Sequence, residues 1–407
     1  RFDKNTMYSS NLRLVNVGCI SDSADQYNER AGVLSVIKEC VLMDGSRVLS
    51  SLRHAENYLP FKNINTTNEK VQNLHDVLHR SKASHVLTNS GSIVVNPQGS
   101  NNIQTVATAN ADDHGYVSVA MLLPLLSELP ALDTSVFKNL RLVVRYNNSA
   151  LITGQDKSKV LTIIEPTLIV DEIVGDKKQA QLREFYKKPI MWNEIEHDMF
   201  VVPAGTQPAT DAGEGLQELS KTINGFDNKF VSRMLMVKTY TNKSFNYSTN
   251  AIVGDGNLVS LAMFKEELNI RHKGSNIFNG DGLSNQAFKQ MLLSETWGDV
   301  VIPPYGAVTS TGLDIEGTNN VNVNGVPSPS GAAGSERRNA KLGQYDYIGF
   351  QIEDTVKQLQ FQYKRVPLKD DATTVLHSSV GMDVHLYAEV KRQLSFDGSS
   401  YQVSYVS

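Results

Sequence analysis

Cysteine is nearly absent from this chain: Cys19 and Cys40 are the only two in 407 residues. That excludes a disulfide-stapled secreted scaffold. Both lie inside apolar, strand-like runs and are expected to be reduced and buried, as in a protein assembled in cytosol or nucleus. Long hydrophobic runs are missing too. The longest, Val117 to Leu126, is interrupted by Pro124 and falls far short of the ~20 residues that a membrane-spanning helix needs. No excess of positive charge is present: 39 Lys and Arg stand against 43 Asp and Glu, a formal charge of −4. A protein that coats nucleic acid concentrates its basic residues. Here dense basic spots such as Lys177-Lys178, Lys187-Lys188 and Arg337-Arg338 lie in polar contexts that read as solvated faces. The sequence opens at Arg1, without a methionine and without a basic-then-apolar leader. The reading is that a short N-terminal piece has been removed or is not ordered.

Catalytic motifs are also lacking. There is no phosphate-cradling Gly-x-x-x-x-Gly-Lys, no dinucleotide-binding Gly-x-Gly-x-x-Gly after a strand, and no Gly-x-Ser-x-Gly nucleophile elbow. His75 and His79 stand four apart on an expected helix, a spacing that can serve one metal. Asp76 follows His75 where a metalloprotease has Glu, and no third ligand stands at a recognisable spacing. The pair is therefore read as solvated or interface histidines. Asp112-Asp113-His114 and Asn279-Gly280-Asp281-Gly282 read as polar turns rather than as an acid–base cluster or a calcium loop. The expectation is no catalytic, cofactor-binding or metal-binding residues, no cofactor and no enzymatic activity. Trp192 and Trp297 are expected as core or interface anchors. Sequons at Asn65, Asn147, Asn242 and Asn246 are read as coincidence in a chain rich in Asn, Ser and Thr.

What the chain does have is short alternating segments punctuated by Gly, Pro, Asn and Asp. Val117, Val119, Met121 and Leu123 alternate before Pro124, and Leu140, Leu142, Val144 and Tyr146 alternate after Pro130. Period-two patterning predicts strands over both stretches. Val33–Leu52 reads as a hairpin about Asp44-Gly45, a pair suited to a tight turn. Further strands are predicted at 11–20, 92–96, 104–109 and 160–173, the last bulged or placed at an edge by Pro166. In the second half they are predicted at 200–202, 231–241, 300–303, 347–352, 359–364, 383–391 and 401–406. Helices are expected from the capping-box spacing at Thr66 through Leu78, from Ser284 through Leu293 and over Glu214–Ile223, and the polar stretch Asp176–Lys188 reads as a short helix or linker bridging two halves. The Gly-, Ser-, Asn- and Pro-rich region Gly306–Gln344 is expected to be a mobile surface or rim loop.

At this length two domains are expected: residues 1–175 and 176–407, with a linker at about 176–195 and the irregular loop at 306–344. The fold class is all-β, as two sandwiches or barrels with a few short helices in loops.

Three blocks carry a resemblance. Tyr116 to Tyr146, with its Leu-Pro-rich connection and Phe137-Lys138-Asn139-Leu140-Arg141-Leu142, is similar to the end of the first barrel in double jelly-roll major capsid proteins of tailless icosahedral double-stranded DNA viruses, above all the virophage and polinton-like kind. Gly225-Phe226-Asp227-Asn228-Lys229-Phe230 running on to Val237 resembles the opening of their second barrel. Val384 to Val390 and Ser400 to Tyr405 resemble their closing strands. The resemblance implies two tandem eight-stranded antiparallel jelly rolls and a structural role in the virion shell, with assembly in the host cytoplasm or nucleus. It implies homotrimeric pseudo-hexagonal capsomers that contact neighbouring capsomers, penton and minor or cement proteins. No sequence-specific nucleic-acid binding is expected, and contact with an internal membrane is left open. The rival readings are a secreted carbohydrate-binding or adhesin β-sandwich protein, favoured by the sequons, and a β-rich hydrolase working from loop residues.

Overall fold

The computed structural model describes residues 1–22, 25–27, 31–64, 78–80, 85–87, 93–95, 102–105, 115–148, 152, 160–203, 217–240, 245–246, 251–252, 265–278, 286–298, 346–366, 382–397 and 400–406. Two sets of facing sheets account for most of them. In the first half the strands are β1 (Met7–Tyr8), β2 (Arg13–Ser21), β3 (Asp25–Gln26), β4 (Ile37–Asp44), β5 (Arg47–Arg53), β6 (His85–Leu87), β7 (Ile93–Val95), β8 (Asn102–Thr105), β9 (Gly115–Ser118), β10 (Leu132–Asp133), β11 (Leu140–Tyr146), β12 (Leu161–Ile164) and β13 (Thr167–Ile169). In the second they are β14 (Ile190–Val202), β15 (Gln217–Ile223), β16 (Phe230–Tyr240), β17 (Phe245–Asn246), β18 (Ala251–Ile252), β19 (Lys265–His272), β20 (Ser275–Asn276), β21 (Asp346–Thr355), β22 (Leu359–Val366), β23 (Met382–Asp397) and β24 (Ser400–Tyr405). The described α-helices of four residues or more are α1 (Ala55–Ile64), α2 (Val119–Leu122), α3 (Leu125–Glu128), α4 (Asp176–Phe185) and α5 (Gln286–Trp297). The expected all-β class with short helices is what the chain forms.

The second half is a jelly roll by its strand order. One sheet runs β14-β23-β16-β21 and the other β15-β22-β19-β20. First pairs with last, β14 with β23, then β15 with β22, β16 with β21 and β19 with β20, all antiparallel. These are the rungs of one long folded ribbon. Rolling that ribbon adds the β16–β23 and β19–β22 pairings, which split it into two sheets. In the first half the two outer rungs of a similar ribbon are present: β2 pairs with β12 and β13, and β4 pairs with β11. One pair there departs from the antiparallel pattern, since β2 and β8 run parallel.

The hairpin expected at Asp44-Gly45 is formed by β4 and β5, with Gly45 in the left-handed region at φ 62°, where glycine carries no Cβ penalty. Its first apolar run, however, opens as a single 3₁₀ turn over Gly32–Val36 before the strand begins. Pro166 separates β12 from β13, and the two resume on β2 across a gap that includes Asn16, whose φ is +60°.

Other expectations are corrected. Only Gly115–Ser118 of the first strand is extended; the chain then turns through α2 and α3. Leu122, Leu123, Leu125 and Leu126 are all buried, and coiling into helical turns buries consecutive leucines that a strand would send to opposite faces. Pro124 precedes α3 with φ −57°, a value its ring favours. Within Glu214–Ile223, read as a helix, Gln217–Ile223 is a strand paired with β22. Strand pairing with β22 overrides the good helix propensity of Glu, Leu and Lys, since tertiary context outweighs local preference. β19 carried no legible signal. Of the predicted Thr66–Leu78 helix, all but its last residue lies outside the described residues, as do His75, Asp112-Asp113-His114, Asn279-Gly280-Asp281-Gly282, the strand at 300–303 and the whole of Gly306–Gln344. The Asp176–Lys188 segment is helical over α4, and the Ser284 helix appears as α5.

Candidate functional site

The sheet β14-β23-β16-β21 is covered on both faces. Met234, Met236, Ile348, Phe350, Val384 and Leu386 face the interior of the second sandwich. Leu235, Val237, Tyr347 and Tyr387, alternating with them, join a separate apolar cluster continuous with the core of the first half. Alternate residues of a strand point to opposite sides, so two-sided burial explains why Met234-Leu235-Met236-Val237 reads as unbroken apolar sequence. Gly349 admits α5 onto the outer face. A Cβ there would stand 2.7 Å from Trp297 Cδ1 and 2.9 Å from Leu293 Cδ1.

Polar nodes lock this layer. Glu194 of β14 is buried and accepts from Ser50 Oγ at 2.9 Å, Ser51 N at 3.1 Å and Trp192 Nε1 at 2.8 Å; Arg392 Nη1 stands 3.4 Å away. Burial pushes its carboxyl up to about 7, against the pull of these donors. Arg233 grips Glu389 through two parallel bonds of 2.7 Å, donates to Thr296 O at 2.7 Å, and lies 4.1 Å from the Trp297 ring. The expected anchors Trp192 and Trp297 are thus both in the layer between the halves. A cleft of about 350 Å³ opens beside them, lined by Tyr58, Lys62, Trp192 and Glu389 among others. Burial holds the Lys62 ammonium below its ordinary range, partly offset by Glu389.

A second contact joins the tip of the β4–β5 hairpin to the closing hairpin β23–β24. Tyr401 Oη donates to Asp44 Oδ2 at 2.7 Å, Arg47 Nη1 donates to Tyr401 O at 2.6 Å, and Asn139 N donates to Asp44 Oδ1 at 2.6 Å. Phe137, Tyr186, Phe396 and Tyr401 stack edge-on around it, drawn from both halves and the segment between them. The connecting helix α4, with no buried residue, is tied down by Arg183 Nε on Asp133 Oδ2 at 2.7 Å and by the Tyr186 hydroxyl on Ala131 O.

No family model matches the sequence, and no curated protein does. Among solved structures the chain is similar to the PBCV-1 virus capsid (9% identity, all of this chain and 91% of that one, TM-score 0.49). It is similar also to the mavirus major capsid protein (10%, 99% and 86%, 0.44) and the Faustovirus major capsid protein (8%, 93% and 74%, 0.45). No residue correspondence is carried across at these identities.

Cys19 and Cys40 are buried and form no disulfide, and burial pushes the Cys40 thiol up to about 12, which keeps it protonated. Asn147 of one sequon is buried and donates its amide to Ser35 O at 2.8 Å, so no glycan can be attached there in the folded chain. Among the described residues no group of three or more His, Cys, Asp and Glu is arranged to hold a metal, and no helix is long and apolar enough to cross a membrane. His79 is buried. A different histidine group, His54, His197 and His385, has no local signature along the chain; the fold gathers it from three distant segments. Their ring centroids lie 4.6 to 5.3 Å apart.

Proposed function

We propose that this chain is a structural shell protein, a double jelly-roll major capsid protein of a tailless icosahedral double-stranded DNA virus, of the virophage or polinton-like kind, with no catalytic role. The observation that carries the reading is the sheet β14-β23-β16-β21 buried on both faces. It joins the second sandwich to the first through a continuous apolar layer rather than a flexible tether, and tiling a shell needs such a stiff unit. The three sequence blocks that resemble this family fall on β9 to β11, on β16, and on β23 and β24. The last two of these supply most of that layer.

In this reading residues 1–175 and 176–407 are the two domains, and α4 is the bridge. Three copies form a pseudo-hexagonal capsomer, with interfaces each burying more than ~2,000 Å², as is usual for obligate assemblies. Exposed apolar side chains such as Val160, Val174, Phe185 and Met191 are available for contacts of this kind. Neighbouring capsomers, penton and minor proteins are the further partners, and packaged nucleic acid is met without sequence-specific contacts. The site is the virion shell, after assembly in the host cytoplasm or nucleus.

Light scattering on the purified, folded chain is the test. A trimer that persists at nanomolar concentration is expected. A monomer at micromolar concentration overturns the reading and returns the carbohydrate-binding sandwich, which a glycan-array screen of the same sample then decides.

A further inference from the structure

His54 sits in the turn between β5 and α1, His197 on β14 and His385 on β23. The cluster thus bridges the first half to two strands of the second. His197 Nε2 and His385 Nδ1 are 3.0 Å apart, and Asn57 Nδ2 of α1 lies 3.1 Å from His385 Nε2. Tyr387 donates its hydroxyl to His54 O at 2.6 Å, and its ring packs 5.0 Å from that of His197. His385 is buried and His197 partly so.

We propose that this cluster is an acid-sensitive latch between the two halves, closed when its imidazoles are neutral and opened by protonation. The hydrogen-bond geometry sets the limit. A neutral imidazole has one donor and one acceptor nitrogen. Between His197 Nε2 and His385 Nδ1 there is room for a single proton. With Asn57 Nδ2 donating to His385 Nε2, His385 Nδ1 must donate to His197 Nε2, and both ring nitrogens of His385 are then engaged. A proton added to His385 sets N–H against the Asn57 amide unless that amide turns over. A further one on His197 sets N–H against N–H in a buried place.

The surrounding charges do not relieve this. Arg53, at the end of β5, repels a cation on His197. Glu56 of α1 approaches His54 Nδ1 at 3.1 Å; Asp383 stands two residues before His385 on the same face of β23, yet no carboxylate is among the groups that shift His197 or His385. On β14, Glu196 is taken by Lys229, and Asp198 accepts from Met199 N. On β23, Glu389 is taken by Arg233. Burial first, then the neighbouring histidines, hold His197 down at about 2 and His385 at about 3.

The sign follows. In the unfolded chain both rings take up protons below about 6.5; in the closed state they do not until well below that. The closed state therefore keeps its full stability above pH 6.5 and loses it as pH falls, by about tenfold in the opening constant per pH unit for each histidine. Glu194 acts in the opposite sense. Its raised carboxyl favours the closed state below its unfolded value, an advantage that disappears as pH rises through about 7. It thereby cancels about one histidine between pH 6.5 and 4.5. The latch stands independently of the shell reading.

Urea unfolding of the full chain from pH 7.5 to 4.5, followed by tryptophan fluorescence, tests it, because Trp192 and Trp297 both report on this layer. Against the wild type, His197→Gln and His385→Gln should each gain about tenfold in relative stability per pH unit below 6.5, with a constant difference above pH 7. Equal pH slopes in all three proteins would overturn the proposal. Should neither variant fold, NMR of histidine-labelled wild type decides. Two ring signals that stay neutral to pH 4.5 while the chain is folded support the latch, and titration of every ring near 6.5 removes it.

Discussion

Glu194, on the edge strand of the second sandwich, accepts the hydroxyl proton of Ser50 in the first at 2.9 Å. With Ser51 N and Trp192 Nε1 also donating and Arg392 close by, one buried carboxylate meets four donors. Glu194→Ala strands a buried guanidinium and three neutral donors. It should cost about 3–5 kcal/mol, the range for breaking a buried charge pair. Glu194→Gln keeps the Ser50 and Ser51 bonds but turns an amide toward Trp192 and Arg392, so an intermediate loss is expected. Chemical denaturation at pH 7.5 checks the order; equal effects of the two would show that the donors find other partners.

Gly349 is the point at which α5 reaches the sheet. Gly349→Ala puts a methyl 2.7 Å from the Trp297 ring and 2.9 Å from Leu293, and both are buried and have little room to retreat. Overpacking of this kind costs about 1–3 kcal/mol. A lowered melting temperature with a shifted Trp297 emission is the expected result. An unchanged melt would mean that α5 moves away freely and is not part of the rigid layer.

The fold was legible where burial is one-sided. In Leu359-Gln360-Phe361-Gln362-Tyr363 the apolar members are buried and the others are not, so the alternation and the strand coincide. It was less legible at Val119 to Leu126, where Leu122, Leu123, Leu125 and Leu126 are all buried and the apolar run carries no clear period. Gln217–Ile223 was misread because its helix-forming residues lie on an edge strand whose structure is set by β22. The histidine cluster was illegible: the spacing of His54, His197 and His385 along the chain is set by barrel topology, and no local pattern records it. His75 and His79, four apart, drew attention for the opposite reason.

Arg183 fastens the connecting helix to Asp133 of β10. Burial alone would raise the Asp133 carboxyl, but the Arg183 guanidinium and the Ser135 hydroxyl and amide outweigh it and hold the group below its usual range. A depressed carboxylate gives stability that is present above its unfolded value near 3.8 and lost as pH falls through the folded one. Arg183→Ala should therefore destabilise the chain at pH 7 by about 1–3 kcal/mol and by less at pH 3. A loss that is the same at both values would show that the side chain acts through packing instead of charge.

The pair Arg233–Glu389 offers the most direct test of how the outer face of the sheet is held. Arg233 sits on β16 and Glu389 on β23, in register across the ladder. The fork of two 2.7 Å bonds needs a planar guanidinium. The same group covers the Trp297 ring and binds Thr296 O at the end of α5. A lysine ammonium is a point charge: it can keep one bond to Glu389 but not the fork, and it stacks less well on an indole. Arg233→Lys is expected to cost about 1.5–3 kcal/mol. In a double-mutant cycle with Glu389→Gln the two changes should be non-additive by about 1 kcal/mol or more, since each removes the same bonds. Strict additivity, with α5 still in place by hydrogen exchange, would assign the role of Arg233 to Trp297 and Thr296 alone. The sheet would then be held to the helix by the cation over the ring, with the carboxylate serving only to keep a buried charge neutral.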